Sequence, residues 1–344
     1  MKFDVVVGNP PYQVEVEGDN KTFAAPVYNL FMDLVRKIAD ESALITPARF
    51  LFNAGATSKS WNEQILNDKH TKVLYYEKDS SKVFPNTDIK GGVAITYHNG
   101  SKVFTPIGTF TSDPQLNTIM KKIQAVTNKY MDTIITGRGV YKLSNLALEL
   151  FPEIEKKQSK GHKRDVGSGA FKILSDTVFY SERQDYGQEW VEVLGLLNGE
   201  RVYWWTKKEY LDVPASFDKY KVIMPQANGN GKFGEIISSP LVLDPFMGAT
   251  ETFLSVGSFE NETEANSALK YLKSKFSRAM LGILKITQAN TKDKWKLVPL
   301  QDFTDQSDID WSKSISEIDQ QLYKKYELDQ NEIDFIEEKV KAMS

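Results

Sequence analysis

The chain has 344 residues, of which 41% are hydrophobic and 26% charged, and its formal net charge is −3. These values are ordinary for a globular protein and exclude one that is basic overall, so a nucleic-acid-binding surface would have to collect its cations on one face. Cysteine is absent and His70, His98 and His162 are scattered, so we predict no disulfide and no thiolate or zinc site. Carboxylates could still hold magnesium, but no metal site is assigned. No signal peptide or apolar run of membrane length is present, which predicts a cytoplasmic protein that does not contact a membrane.

The first predicted element is a short buried strand that ends in a rigid loop. The apolar, β-branched run Val5 to Val7 is followed by Gly8, and two prolines then prevent the strand from continuing. Asn9-Pro10-Pro11-Tyr12 should therefore form a loop at the carboxyl end of a strand, where open α/β sheets bind their ligands.

The residue types in this loop suit an amine that must become a nucleophile. The side-chain oxygen of Asn9 and the carbonyl oxygen of Pro10 are both acceptors, and together they can take the two N–H bonds of an exocyclic amine. Pro10 and Pro11 restrict the backbone and add no competing donor. Tyr12 offers an aromatic face on which a planar ring can stack.

The following elements alternate between helical and strand patterns. Apolar residues recur at helical spacing in two segments, and short apolar runs predict three further strands: helices over 26–40 and 60–67, and strands over 43–47, 72–76 and 93–97. This order describes half of a doubly wound α/β sheet.

Three of these segments together resemble a known family. Asn9–Tyr12 resembles the catalytic motif of amino-methyltransferases that use S-adenosylmethionine, most often N6-adenine DNA methyltransferases. Asp79–Pro85 and Asp88–Val93 resemble a later motif of the gamma-type enzymes in that family. The resemblance implies that Phe84 stacks on a flipped adenine from the face opposite Tyr12. Phe84 as a core aromatic beside a turn is the alternative.

The second half of the chain has a different character. A connector with a helix over 116–128 leads to a region, from about residue 133, of short strands and interleaved aromatic and basic residues. A single further helix is predicted over 262–275. A basic run without a helical face is predicted either as a solvated loop or as a loop that contacts DNA phosphates; its cations are Lys156, Lys157, Lys160, Lys163 and Arg164.

This layout resembles the target-recognition domain of adenine methyltransferases in fused, type IIG-like restriction-modification enzymes. The resemblance implies four parts: a partial methyltransferase domain over 1–112, a helical connector over 113–132, a target-recognition domain over 133–303 and a helical segment over 304–344. The fold class is then α/β, with the C-terminal half of a Rossmann-like methyltransferase sheet followed by a mixed α+β DNA target-recognition domain.

The cofactor loop is the main departure from the family pattern. In the gamma order the glycine-rich loop for S-adenosylmethionine precedes the Asn-Pro-Pro-Tyr motif, and only two residues precede Phe3 in this sequence. We therefore expect either a split subunit, with a partner chain that supplies the cofactor half, or a truncated form. Asp244 and Gly248 lie in a segment that resembles the cofactor loop of permuted methyltransferases, but the residues after it, 252–259, alternate like a strand where a helix should follow.

These features together imply site-specific adenine-N6 methylation of double-stranded DNA in a restriction-modification system, with S-adenosylmethionine as the methyl donor. Two alternatives stay open. One is a DNA-sequence-recognition module without catalysis of its own, and the other is a protein- or RNA-directed amino-methyltransferase.

Overall fold

A computed structural model describes residues 3–14, 25–184 and 187–343 of the chain. The chain divides into two compact units, Met1–Asn117 and Thr118–Ser344. The boundaries predicted at 112, 132 and 303 stay predictions.

The N-terminal unit is built on one four-stranded sheet. Its elements in chain order are β1 (Phe3–Gly8), α1 (Tyr28–Ile38), β2 (Ala39–Pro47), α2 (Lys59–Leu66), β3 (Thr71–Glu77) and β4 (Val93–Asn99). The strand order is β1-β2-β4-β3; β1 and β2 are parallel, and β4 is antiparallel to both of its neighbours. All five elements predicted after the first loop are present, and the largest difference is that β2 begins four residues before the predicted position.

One face of this sheet carries the core of the unit. Tyr28, Phe50 and Trp61 pack edge-on or tilted against one another, with ring centroids 5.5–6.2 Å apart. The Trp61 indole N–H donates to the carboxylate of Asp33 at 3.0 Å, so the polar atom of this largely buried ring has a partner. Val6 packs against the same cluster.

The other face of β1 is apolar and exposed. Phe3, Val5 and Val7 alternate onto it and are 47%, 55% and 76% exposed. Strand β1 hydrogen-bonds to β2 along one edge, and no strand of the described residues pairs with its other edge. On α1, Leu30 and Leu34 are also more than half exposed. An apolar strand edge of this kind is a site for pairing with another segment.

The C-terminal unit contains three small sheets and a group of helices. Helix α3 (Pro114–Val126) spans the boundary between the units, and the remaining elements follow in chain order: β5 (Lys142–Leu143), α4 (Asn145–Leu150), α5 (Ile154–Lys157), α6 (Ala170–Ile173), β6 (Trp190–Leu197), β7 (Glu200–Lys207), β8 (Leu211–Asp212), β9 (Tyr220–Pro225), β10 (Leu241–Leu243), β11 (Gly248–Ala249), β12 (Phe253–Phe259), α7 (Glu262–Lys273), α8 (Lys275–Leu284), α9 (Ile315–Lys325) and α10 (Gln330–Lys339). The sheets have the orders β10-β9-β12, β11-β6-β7 and β5-β8.

The sequence pattern missed two details of this unit. The basic run was expected to contain no helix, yet Lys156 and Lys157 lie in α5, a single turn that ends at Gln158. A single helix had also been expected over 262–275. Ser274 instead ends α7 and caps α8, because its side chain accepts a hydrogen bond from the Ser277 backbone N–H. Within the described part of the chain, no helix has the length and hydropathy needed to cross a membrane.

Candidate active site

The carboxyl end of β1 is the place where the strands of the N-terminal unit bring polar loops together. Gly8 is paired with Leu44 in the parallel strand β2, so the loops that follow β1 and β2 leave the sheet at the same edge. Val93, the first residue of β4, lies between Pro47 and Glu77, which are the last residues of β2 and β3. Four chain segments therefore meet here, as expected for a ligand site in a sheet of this type.

A cavity of about 850 Å³ opens at this edge. Its lining comes from the Asn-Pro-Pro-Tyr loop, from the start of α1 and from the loops after β2 and before β4: Asn9, Pro10, Pro11, Tyr12, Gln13, Pro26, Tyr28, Pro47, Arg49, Gly55, Ala56, Asp88, Ile89 and Lys90. Neither the Asn9 side chain nor the Pro10 carbonyl receives a hydrogen bond from the described residues, so both acceptors are available to a ligand.

Tyr12 joins the cavity to the core. Its backbone carbonyl accepts from the Val27 N–H at 3.1 Å, which fixes the loop against the segment before α1. Its ring packs on the core cluster, and its hydroxyl is buried without a hydrogen-bond partner among the described residues. Burial raises the pKa of this phenol, so it is neutral at physiological pH and the ring acts as an apolar surface with an unsatisfied polar atom.

The loop between β3 and β4 forms another wall. Ser80 is buried and organises this loop, because its hydroxyl donates to the Thr87 carbonyl at 3.1 Å and accepts from the Ile89 N–H at 2.8 Å. Gly92 has φ +77°, and a Cβ there would lie 2.2 Å from the Glu77 carbonyl oxygen. Only glycine fits this position, and it holds Asp88–Lys90 at the cavity.

Phe84, the second aromatic residue predicted to stack on the base, lies in the same loop. Its N–H donates to the Ser80 carbonyl at 2.8 Å, and its carbonyl accepts from the Thr87 hydroxyl at 2.7 Å. The ring is half-buried, and Phe84 is absent from the lining of the cavity that contains Tyr12. The clamp with Tyr12 therefore stays a prediction.

The alternative cofactor segment belongs to the C-terminal unit and is firmly held. The buried Lys221 donates to the Asp244 carbonyl at 3.1 Å, and burial lowers the pKa of this lysine to about 8. Gly248 lies in β11, which pairs parallel with β6, and strand β12 follows after three residues. A cofactor loop of this type leads directly into a helix, so the geometry of Asp244 and Gly248 does not suit S-adenosylmethionine.

The basic run divides into cations that have acidic partners and cations that do not. The Lys163 ammonium lies 2.8 Å from the Glu155 carboxylate, and Arg164 pairs with Asp212. Lys156 and Lys160 are exposed and form no ion pair with the described residues, whereas Lys157 lies 3.5 Å from the Thr177 hydroxyl.

Comparisons with known proteins found similar sequences for the N-terminal part of the chain. Residues 1–84, a quarter of the chain that ends within the cavity-forming loop, match the family model described as "Eco57I restriction-modification methylase". Over 97 residues the chain is 33% identical to an "Uncharacterized adenine-specific methylase" of Mycoplasma pneumoniae. This matched segment covers 27% of this chain and 22% of that protein. The chain spans about a fifth of the length of this curated relative.

Two solved structures of restriction-modification enzymes are also similar to the chain. The type IIG restriction endonuclease BpuSI matches with 11% identity and a TM-score of 0.28, over 98% of this chain and 54% of that one. The type IIL restriction-modification enzyme MmeI, solved in complex with DNA, matches with 10% identity and a TM-score of 0.33, over 98% and 56%.

Sequence reasoning missed two cations of the cavity, Arg49 and Lys90. Arg49 comes two residues after the end of β2, the neighbour of the motif-bearing strand, and Lys90 precedes a pair of glycines. Their positions at the carboxyl edge of a parallel strand pair were the signal that could have found them.

Proposed function

We propose that this chain carries the amine-orienting part of the active site of an S-adenosylmethionine-dependent N6-adenine DNA methyltransferase in a restriction-modification system. One observation carries the proposal. Asn9 and Pro10 lie at the carboxyl edge of a parallel strand pair, on a cavity, with both acceptor oxygens free of described donors. The match of residues 1–84 to a restriction-modification methylase supports it.

The chemistry follows from the hydrogen-bonding capacity of these groups. The Asn9 side-chain oxygen and the Pro10 carbonyl each accept one N–H of the adenine amine, which holds the nitrogen in place and draws its lone pair out of conjugation with the ring. Tyr12 supports the ring, since stacking offsets part of the free energy lost when a base leaves the duplex. S-adenosylmethionine supplies the methyl group. The rate then comes from positioning, without a covalent enzyme intermediate.

The described residues do not fit S-adenosylmethionine as its main binding site. A glycine-rich turn that joins a strand to a helix is absent from the described part of the N-terminal unit, and the turn at Gly248 leads into a strand.

The partner that we propose is a polypeptide segment that binds the cofactor and pairs with the free edge of β1. The exposed apolar side chains of Val5 and Val7 and the unpaired strand edge suit a covering strand and helix. Leu30 and Leu34 on α1 extend the apolar surface. The curated relative is more than four times as long as the matched segment, so it has room for such a part.

The proposal is tested in the cells that make this protein. N6-methyladenine is mapped by single-molecule sequencing of genomic DNA from cells with the gene intact, deleted or restored as wild type, as Asn9→Ala or as Asn331→Ala. Asn331 is an exposed asparagine on α10 and serves as the matched control. We expect deletion to remove methylation at one sequence motif, and the wild type and Asn331→Ala to restore it.

Asn9→Ala should leave that motif unmethylated at equal protein abundance, because losing one oriented acceptor lowers the rate by about a hundredfold or more. Full methylation by Asn9→Ala would exclude the role given to Asn9. Deletion without loss of any methylated adenine would exclude the function itself. Sequence-selective DNA binding without methylation would then favour a recognition module, and a labelled methyl group in protein or RNA would favour the other alternative.

A further inference from the structure

Arg49 differs from every other arginine in the chain. Each of the other six donates a hydrogen bond to a described acceptor: Arg36, Arg138, Arg164, Arg183, Arg201 and Arg278. The Arg49 guanidinium donates no hydrogen bond to the described residues and forms no ion pair with them, although Arg49 lines the cavity that contains Asn9. A guanidinium has five N–H donors, so this one is ready to bind an acceptor from outside the described chain.

The stem of the Arg49 side chain is held by two glycines. A Cβ at Gly55 would lie 3.1 Å from the Arg49 Cβ, and a Cβ at Gly91 would lie 2.6 Å from the Arg49 Cγ. Both glycines have positive φ, +96° and +90°. A larger residue at Gly91 would push the stem away and one at Gly55 would crowd it, so the close approach of two loops limits the directions open to this side chain before a ligand arrives.

A second cation lies on the same cavity. Lys90 directly precedes Gly91, is exposed, and has no ion pair with the described residues. Asp88 is the carboxylate in the lining, and it lies within ion-pair distance of neither Arg49 nor Lys90. The cavity therefore presents two unpaired cations beside one unpaired anion, a net positive charge that favours an anionic ligand.

We propose that Arg49, assisted by Lys90, binds a phosphate group of the nucleotide whose base Asn9 engages. This inference rests on the proposed function. A planar guanidinium matches two phosphate oxygens at once. A cavity of about 850 Å³ has the size of sites that enclose whole small molecules, so it has room for more than a base. Two points of attachment, the amine at Asn9 and the phosphate at Arg49, fix the orientation of the base.

The carboxylate of S-adenosylmethionine is the other anion that such a site could meet, and kinetics separate the two. The enzyme is purified from its own cells through a tag on this chain, with its partners, as wild type, Arg49→Met, Arg49→Lys and Lys69→Met. Methionine keeps an unbranched stem between the glycines and removes only the charge. Lys69 is an exposed lysine outside the cavity and is the matched control.

For Arg49→Met we expect KM for DNA to rise about tenfold to a hundredfold, as for a lost hydrogen bond to a charged group, with KM for S-adenosylmethionine unchanged. The slope of log(kcat/KM) against log salt concentration should become shallower by about 0.9, the contribution of one phosphate contact. Arg49→Lys should have the wild-type salt slope, because the charge is kept, and a KM for DNA between those of the wild type and Arg49→Met. Lys69→Met should behave as wild type.

Substrates with a neutral methylphosphonate at single positions around the target adenine give a direct test. We expect the methylphosphonate at one position to lower the methylation rate of the wild type tenfold or more. The same substrate should have no added effect on Arg49→Met, since that variant has already lost the contact. Equal penalties at every position in both proteins, or a rise in KM for S-adenosylmethionine alone, would overturn the proposal. Absence of methyl transfer by the wild type would instead refute the proposed function.

Discussion

Tyr12 combines a ring at the cavity with a hydroxyl that has no partner. An unpaired buried hydroxyl costs free energy, so its removal should not harm the protein. We expect Tyr12→Phe to retain full methyl transfer and equal or greater stability. Tyr12→Ala should lower kcat/KM about tenfold to a hundredfold through loss of stacking. Because the pKa of Tyr12 is raised above its ordinary value, the pH profile of Tyr12→Phe should match the wild type through neutral pH.

Steady-state kinetics of the purified enzyme from pH 6 to 9 would check this pair of variants. A large loss of activity in Tyr12→Phe would show that the hydroxyl donates to the substrate. Equal activity in Tyr12→Ala would remove the stacking role.

Single residues show where sequence reasoning reached its limit. The position of Asn9 at a strand end could be predicted, because Val5–Val7 and Pro10–Pro11 specify a strand and its end locally. Arg49 could not be ranked above other arginines, since its lack of a partner depends on loops at Gly55 and Gly91 that only the fold brings to it. Phe84 has a motif position but is absent from the lining of the cavity that contains Tyr12, so its stacking role stays a prediction.

At the level of elements, the glycine pair before β4 holds the cavity wall. Gly92→Ala introduces a Cβ 2.2 Å from the Glu77 carbonyl oxygen at a φ of +77°. Backbone strain and steric overlap together should lower the free energy of unfolding by about 2–5 kcal/mol. Gly108→Ala is the matched control, since Gly108 has φ +58° with open space around it, and it should cost only about 1–2 kcal/mol.

Hydrogen exchange of peptides from β3 and β4, read by mass spectrometry, would follow the unfolding of this unit alone. We expect faster exchange in Gly92→Ala than in Gly108→Ala. Equal exchange in the two variants would mean that the loop yields to the added methyl group.

Element types were predicted better than element ends. Helical spacing of apolar residues located α2, and short apolar runs located β2, β3 and β4. The end of α1 at Ile38 and the break at Ser274 were missed, since a strand can start directly after a helix and one serine can end one helix and cap the next.

The net charge of the whole chain limits how the proposed binding of DNA could occur. With a net charge of −3, long-range attraction is weak and affinity depends on local cations. We expect Lys156→Gln with Lys160→Gln to reduce the slope of log affinity against log salt by nearly two, about 0.9 for each phosphate contact. Lys163→Gln with Arg164→Gln, which changes the net charge equally, should have a smaller effect because both cations already pair with carboxylates.

Fluorescence anisotropy of a labelled duplex at several salt concentrations would measure both double variants. Equal slopes for the two, or no change in either, would place the DNA-contacting surface elsewhere on the chain.

The exposed apolar residues of β1 also have a consequence for the cell that makes this chain. If Val5 and Val7 are covered only when another polypeptide segment pairs with the strand, chains made in excess of it stay available to chaperones and proteases. The steady-state amount of the chain would then be limited by whichever is made in the smaller amount, this chain or the polypeptide that covers β1. If the covering segment belongs to a second polypeptide, equal production of the two polypeptides would matter more for the proposed DNA modification than a high level of either one.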